Sequence, residues 1–356
     1  MNIGVPRERR PYEFRVGLSP MGVGLLTAAG HVCFVERAAG AGVGYTDEEY
    51  ARAGAKIVYS PDEAFGRADL VLKVARPTSE EIALLHEGQL LLGLLHLAAA
   101  RPEKIQQLLH QRVTTIAYEQ IRLDDGTMPV LRSLSQIGGR MTPQIAATLL
   151  QNNHGGTGVL LGGAPGVPPA EVAILGACTA GLGAARAFQA MDAHVTVLDR
   201  NLNRLQEAVT RCGGHLTTLV SYPFNVARVC QYADVLVGAV LVPGERTPVL
   251  VSREVVRSMK PRSVIIDLSI DEGGCVETSR PTTHEHPTFV AEGVTHYCVP
   301  NVPGIVARTS THAFLNAAWP YIQLVAELGA PAALAANPAL RRGLVTHEGQ
   351  LVTHHD

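Results

Sequence analysis

The sequence is short of several things, and each shortage closes a class of function. It has no long apolar run. The most apolar stretch, Leu90 to Ala100, is brief and carries His96, so it cannot span a bilayer. Neither sign of charge dominates: 30 Lys and Arg face 32 Asp and Glu, for a formal net charge of −2. That balance points to neither a nucleic-acid nor a membrane partner. The six cysteines (Cys33, Cys178, Cys212, Cys230, Cys275 and Cys298) lack paired spacing and read as reduced thiols. The opening run MNIGVPRERRPYEFRVG has no apolar signal core, so a cytoplasmic protein is expected. His284 and His286 have no third ligand nearby, and His347, His354 and His355 crowd the tail, so no metal is expected. Aromatic residues are only 5%.

What is present is a globular composition, 46% hydrophobic and 17% charged over 356 residues, enough for two domains. Short apolar runs alternate with helical segments from the start. Strands are expected at 2–5, 32–35, 56–58, 70–74, 90–95 and 114–118, with helices between them. Such alternation implies a parallel sheet with helices on both faces. Further strands are expected at 172–175, 195–198, 215–220, 234–240, 263–268 and 295–299. A helix is expected in 136–152, after Pro143, and a long one over 309–329. Ala313, Ala317 and Tyr321 should share a face of the latter, and Pro320 should kink it. The fold class is therefore α/β: two Rossmann-like doubly wound domains separated by a cleft, with the second inserted mid-chain. The boundaries drawn are 1–135 with 306–356 for one domain and 136–305 for the other.

The organising stretch is EVAILGACTAGLGAARAFQAMDAHVTVLDRN, Glu171 to Asn201. It reads as strand, glycine turn, helix, strand. A glycine turn into a helix N-terminus presents free N–H groups and the positive end of the helix dipole, which suits a pyrophosphate. Asp199, ending the second strand, suits a ribose 2′-OH and favours NAD over NADP, although Arg200 beside it points the other way. Gly176 and Gly181 fill two places of G-x-G-x-x-G, but Cys178 fills the third. A thiol there is expected to crowd the phosphates.

Four other places carry candidate chemistry. Arg15, in the charged run Pro6 to Val16, could clamp a carboxylate, or pair within its own loop. His96 leaves a buried strand and is either a general acid/base or a core histidine. Asp271, in S-I-D-E-G-G-C, sits past the end of a strand, where α/β sheets bind ligands; it could equally shape a turn. Asn301, in N-V-P-G, is a cofactor contact or a turn residue.

Longer motifs then resolve into a resemblance. G-V-P-R-E and E-F-R-V near the start, L-L-H-L-A-A at 94–99, A-Y-E at 117–119 and S-Q-I-G-G-R at 135–140 are among them. G-V-L-L-G-G-A-P-G-V at 158–167, G-A-V-L-V-P-G at 238–244, I-D-E-G-G-C-V-E-T-S-R-P-T-T at 270–283, T-S-T at 309–311 and T-H-E-G at 346–349 complete the set. Over nearly its whole length the chain resembles alanine dehydrogenases and, more distantly, the NAD-binding subunit of proton-translocating transhydrogenases. The resemblance implies NAD-dependent, reversible oxidative deamination of L-alanine in a homo-oligomer, hexamer or dimer. It implies that His96 is the catalytic acid/base, Asp271 its partner toward water or ammonia, and Arg15 the substrate clamp. Asp199 becomes the ribose acid. Ser135, Val240, Leu241 and Asn301 become cofactor contacts, as do Gly176, Cys178, Thr179, Ala180, Gly181 and Arg204 at and near the turn.

The departures fall in these sites. Where the family has K-V-K-E-P, this chain has Lys73-Val74-Ala75-Arg76-Pro77, so the lysine that the resemblance assigns to substrate is Ala75. Lys73 lies on the same strand face, roughly 6.5–7 Å back, and is the expected stand-in. Gln136 and Val302 replace a usual glutamate and methionine. Three readings therefore stay open: an alanine dehydrogenase, an NAD(P)H-dependent enzyme for another amino or imino acid, and a non-catalytic homologue.

Overall fold

The computed structural model describes residues 1–96, 102–242 and 246–352. The chain divides into two compact units, Met1–Leu134 with Gly304–Asp356, and Ser135–Pro303. In chain order, β1 (Asn2–Val5), β2 (Val32–Glu36), β3 (Lys56–Val58), β4 (Leu70–Ala75), β5 (Leu90–Leu94) and β6 (Thr114–Ala117) belong to the first. The second holds β7 (Glu171–Leu175), β8 (His194–Asp199), β9 (Thr217–Val220), β10 (Val235–Gly238), β11 (Val264–Asp267), β12 (Thr288–Ala291) and β13 (Val294–Tyr297). The returning segment adds β14 (Leu344–His347) and β15 (Gln350–Leu351) to the first unit.

The first sheet has the order β15-β14-β6-β5-β4-β1-β2-β3. Its strands are parallel from β3 to β6, and each strand from β1 to β6 is joined to the next in the chain by a crossover carrying a helix. All six residues of β4 and all five of β5 are buried, as strands covered on both faces must be. The chain winds first one way from β1 and then the other, so the order reverses between β1 and β4. Ligands bind beyond the carboxyl ends of strands at such a switch point. The second sheet repeats the plan, β12-β13-β11-β10-β7-β8-β9, with its reversal between β7 and β10.

Helix Ala307–Ala336 covers the first sheet with Phe314, Ala318, Tyr321, Ile322 and Val325 buried. Ala313 and Ala317 are only half-buried, so the inward face is one residue on from the expected one. Nor does the backbone leave helical geometry at Pro320. It does so at Gly329 (φ 73°, ψ 163°), just before Ala330-Pro331, where the proline's lost N–H and ring clash coincide with a residue free to turn. The helix expected after Pro143 starts earlier and spans Pro129–Leu149, with Pro143 inside it. The sheets are also not wholly parallel. β12 pairs antiparallel with β13, β14 with β6, and β15 with β14. Among the described residues no helix is long and apolar enough to cross a membrane.

Candidate functional site

In the first unit the candidate residues gather past the carboxyl ends of β1, β4, β5 and β6. The loop after β1 is tied to its neighbours by charge. Arg9 pairs with Glu36, which also accepts the Arg7 N–H at 2.9 Å. Glu8 turns inward. Its Oε1 accepts the N–H of Val74 at 2.7 Å and of Ala75 at 3.4 Å, and its Oε2 lies 2.9 Å from Lys73 Nζ. Glu81 holds the same ammonium at 2.8 Å from the other side. Lys73 is fully buried. Burial alone would lower its pKa, but the two carboxylates outweigh that and raise it. Burial, reinforced by the charge of Glu13, raises Glu8. Lys73 is therefore committed to two buried ion pairs. Releasing its stem toward residue 75 would strand Glu8 and Glu81.

Arg15 is buried as well, and Glu13 grips it in bidentate fashion, Oε1 to Nε at 2.7 Å and Oε2 to Nη2 at 2.6 Å. The structure thus places Arg15, Glu13, Glu8 and Lys73 in one charged cluster under the end of β4, with Ala75 at its rim.

His96 lies two residues past β5 with φ +42°, a left-handed conformation that costs a non-glycine residue free energy. The carboxylate of Glu119, just after β6, accepts the N–H groups of Leu95 (3.1 Å) and His96 (2.6 Å). The His96 carbonyl accepts from Arg76 Nη1 at 2.9 Å. The Arg76 carbonyl in turn accepts from Arg10 Nε at 2.7 Å.

In the second unit the glycine turn follows β7. Gly176 has φ +100°, and a Cβ there would meet the Ala239 carbonyl oxygen at 2.3 Å. A Cβ on Gly181 would meet the Gly176 carbonyl oxygen at 1.9 Å, so helix Thr179–Gln189 can only start this close to the strand without a side chain there. Asp199, buried at the end of β8, accepts the N–H of Ala177 and of Asn201, both at 2.8 Å. The acid therefore braces the turn it was expected to accompany. Cys178 is the N-cap of the helix without a side-chain capping bond, and its Sγ donates to the Ala239 carbonyl at 2.9 Å. Burial pushes this thiol's pKa up, which keeps it a donor. Thr179 and Ala180 open the helix and are half-buried. Arg204 is exposed on helix Leu202–Arg211, with its charge felt at Cys178. Val240 and Leu241, half-buried, follow β10, and the Val240 N–H donates to Ser269 Oγ at 2.9 Å. Ser135, half-buried, is on helix Pro129–Leu149.

Asp271 is exposed in the 3₁₀ turn Leu268–Glu272 that follows β11. Its Oδ2 lies 3.5 Å from the N–H of Asn301, which itself has φ +56°. These two candidates come together. The turn is shaped by a residue that sequence reasoning passed over. Asp267, buried at the end of β11, accepts the N–H groups of Ser269 (3.0 Å), Cys275 (3.0 Å) and Val276 (3.4 Å). Burial raises its pKa. An acid closing the apolar run V-I-I-D was the available signal, as it was for Asp199. Glu119 in A-Y-E was missed in the same way. Among the described residues no group of three or more His, Cys, Asp or Glu could hold a metal ion, and His354 and His355 lie outside the described residues.

A dinucleotide fits the second unit on these observations: a tight glycine turn, a helix N-terminus and a braced acid, with the Cys178 thiol set in the turn. Residues 4–138 match the family model described as alanine dehydrogenase/PNT, N-terminal domain, and residues 142–354 match its C-terminal domain. The chain is 47% identical over 352 residues to an alanine dehydrogenase of Methanococcus maripaludis, covering 99% of this chain and 94% of that protein. A solved L-alanine dehydrogenase is similar at a TM-score of 0.93 and 44% identity, over 99% of this chain and 97% of that one. A transhydrogenase from Sinorhizobium meliloti is similar at a TM-score of 0.80 and 26% identity, over 99% of each chain.

Proposed function

The chain belongs to the alanine dehydrogenase/PNT family, and from that premise we propose that it is an NAD-dependent amino acid dehydrogenase interconverting L-alanine with pyruvate and ammonia. The observation that carries this reading is the brace from Asp199 to Ala177 across the Gly176 turn, at the reversal of the second sheet. We assign NAD to 136–305 and substrate to 1–135 with 306–356. We further propose a cytoplasmic homo-oligomer, hexamer or dimer, acting on small amino and keto acids.

Bound NAD would accept hydride from the substrate Cα. The chain's own residues do the rest. The N–H groups of Cys178, Thr179, Ala180 and Gly181 and the charge of Arg204 would hold the pyrophosphate. Asp199 still has acceptor capacity for a ribose hydroxyl beyond the two N–H groups it holds. Ser135, Val240, Leu241 and Asn301 border the remainder. Arg15 attracts the substrate carboxylate. His96 moves the proton as nitrogen passes between amine and imine and as water adds. The Asp271 carboxylate stabilises the cationic imine.

Ala75 bears on substrate choice. With no lysine there, and with Lys73 held by Glu8 and Glu81 as Arg15 is by Glu13, a substrate carboxylate would have to share Arg15 with Glu13. A keto acid other than pyruvate is the second reading this favours. The test is NADH oxidation with ammonia and pyruvate, beside a panel of larger keto acids. Turnover with pyruvate supports alanine chemistry. Turnover only with others shifts the substrate, and none with any removes the enzymatic reading.

A further inference from the structure

We infer that Arg76 is a positioning residue for His96, holding its peptide in the left-handed conformation from which the imidazole acts. This deepens the reaction proposed above and rests on His96 being its acid/base.

The argument starts from strain. At φ +42° His96 occupies a sparsely populated, strained region that persists only where the surroundings over-determine it. Two charged side chains supply that determination, one on each side of the residue. Glu119 takes the His96 N–H at 2.6 Å and the preceding N–H of Leu95 at 3.1 Å. Arg76 donates to the His96 carbonyl at 2.9 Å. Both contacts are charge-assisted, the stronger class of hydrogen bond.

The clamp is itself anchored. Residue 76 follows β4, whose Ala75 pairs with Leu94 of β5 after a one-residue register shift, so the two strand ends run side by side. Arg10 holds the Arg76 carbonyl at 2.7 Å, and Glu8 holds the Val74 and Ala75 N–H groups. A rigid path thus runs from the loop after β1, through Arg76, to the His96 peptide. The guanidinium of Arg76 makes a contact with the His96 carbonyl that a carboxylate at 76 would repel. The competing account is that Arg76 merely staples two strand ends together. It would then matter for stability and not through His96.

A double-mutant cycle separates the two. NADH oxidation with pyruvate and ammonia is measured for the wild type, Arg76→Met, Arg76→Lys, His96→Asn and the Arg76→Met/His96→Asn pair. Arg76→Met is expected to lower kcat by roughly 10- to 100-fold, the scale of a misplaced catalytic group, with KM for pyruvate within about threefold. Arg76→Lys should recover to within about threefold of wild type, since an ammonium can serve the same carbonyl. In the His96→Asn background Arg76→Met should cost less than about twofold, because the residue it positions is gone. Equal losses in both backgrounds, unchanged kcat, or no recovery with lysine would each overturn the positioning role while leaving the acid/base reading in place. A wild type inert toward these substrates, or a His96→Asn enzyme of full activity, would sink the acid/base reading and the positioning role with it. Should Arg76→Met not fold, Glu119→Gln probes the clamp from the other side with the same expected dependence on His96.

Discussion

The Cys178 thiol donates to the carbonyl oxygen of Ala239 at 2.9 Å, linking the turn after β7 to the residue that follows β10. The sulfur therefore lies across the point where the strand order reverses, beside the N–H groups expected to hold pyrophosphate.

Removing that side chain should open the turn. Cys178→Gly is expected to tighten NADH binding by about tenfold, or roughly 1.4 kcal/mol, in a fluorescence titration. Unchanged affinity would mean that the thiol does not contest the space.

The buried trio of Lys73, Glu8 and Glu81 makes a prediction about stability and its pH dependence. Lys73→Met leaves two buried carboxylates without their cation and should cost roughly 3–5 kcal/mol in denaturant unfolding at neutral pH. Burial already raises Glu8 with the lysine present, and losing that cation raises it further. A carboxylate whose folded pKa exceeds its unfolded value contributes stability below the unfolded pKa and loses it as pH rises through the folded one. The deficit of the variant should therefore shrink toward pH 5 and grow toward pH 8. A deficit independent of pH would show that the carboxylates are not carrying the cost.

Asp267 offers a test in the second unit. Three backbone N–H groups converge on its carboxylate, and an asparagine would turn a donor toward at least one of them. Asp267→Asn should lose roughly 1–3 kcal/mol, the cost of a buried group left unmatched. It should also lower turnover, because the turn carrying Asp271 is built on those bonds. Wild-type stability would mean that the loop holds its shape without the charge.

Ala75→Lys tests the proposal that a substrate-binding lysine is missing at the end of β4. If the rest of the substrate site is preserved, the restored cation should raise kcat/KM for pyruvate by about tenfold, within the range of a charge-assisted hydrogen bond. No gain would mean that Ala75 marks a different substrate.

Much of this architecture was legible in the residues. Buried parallel strands announce themselves as apolar runs, and β4, β5 and β7 read that way directly. The glycine turn and Asp199 were legible because each needs a particular residue type at a fixed offset. The hairpins β12–β13 and β14–β15 were not foreseen. Their signals are the two-residue loops Glu292-Gly293 and Glu348-Gly349, where both residues have positive φ. Glutamate is an unusual first residue for such a turn, which hid them. A kink at Pro320 is expected from the proline alone, whereas the break needs Gly329 two residues before Pro331. Pairings distant in sequence were beyond reach. Nothing local says that Glu8 meets Lys73, that Arg76 meets His96, or that Glu119 receives the chain leaving β5.

The most direct test of the account follows the hydrogen on the substrate Cα. L-alanine deuterated at Cα is incubated with the protein and NAD, and the reduced cofactor is examined by mass spectrometry. The account predicts one deuterium in each NADH formed, with pyruvate and ammonia in equal amount. NADH formed without deuterium, or no NADH at all, would contradict it.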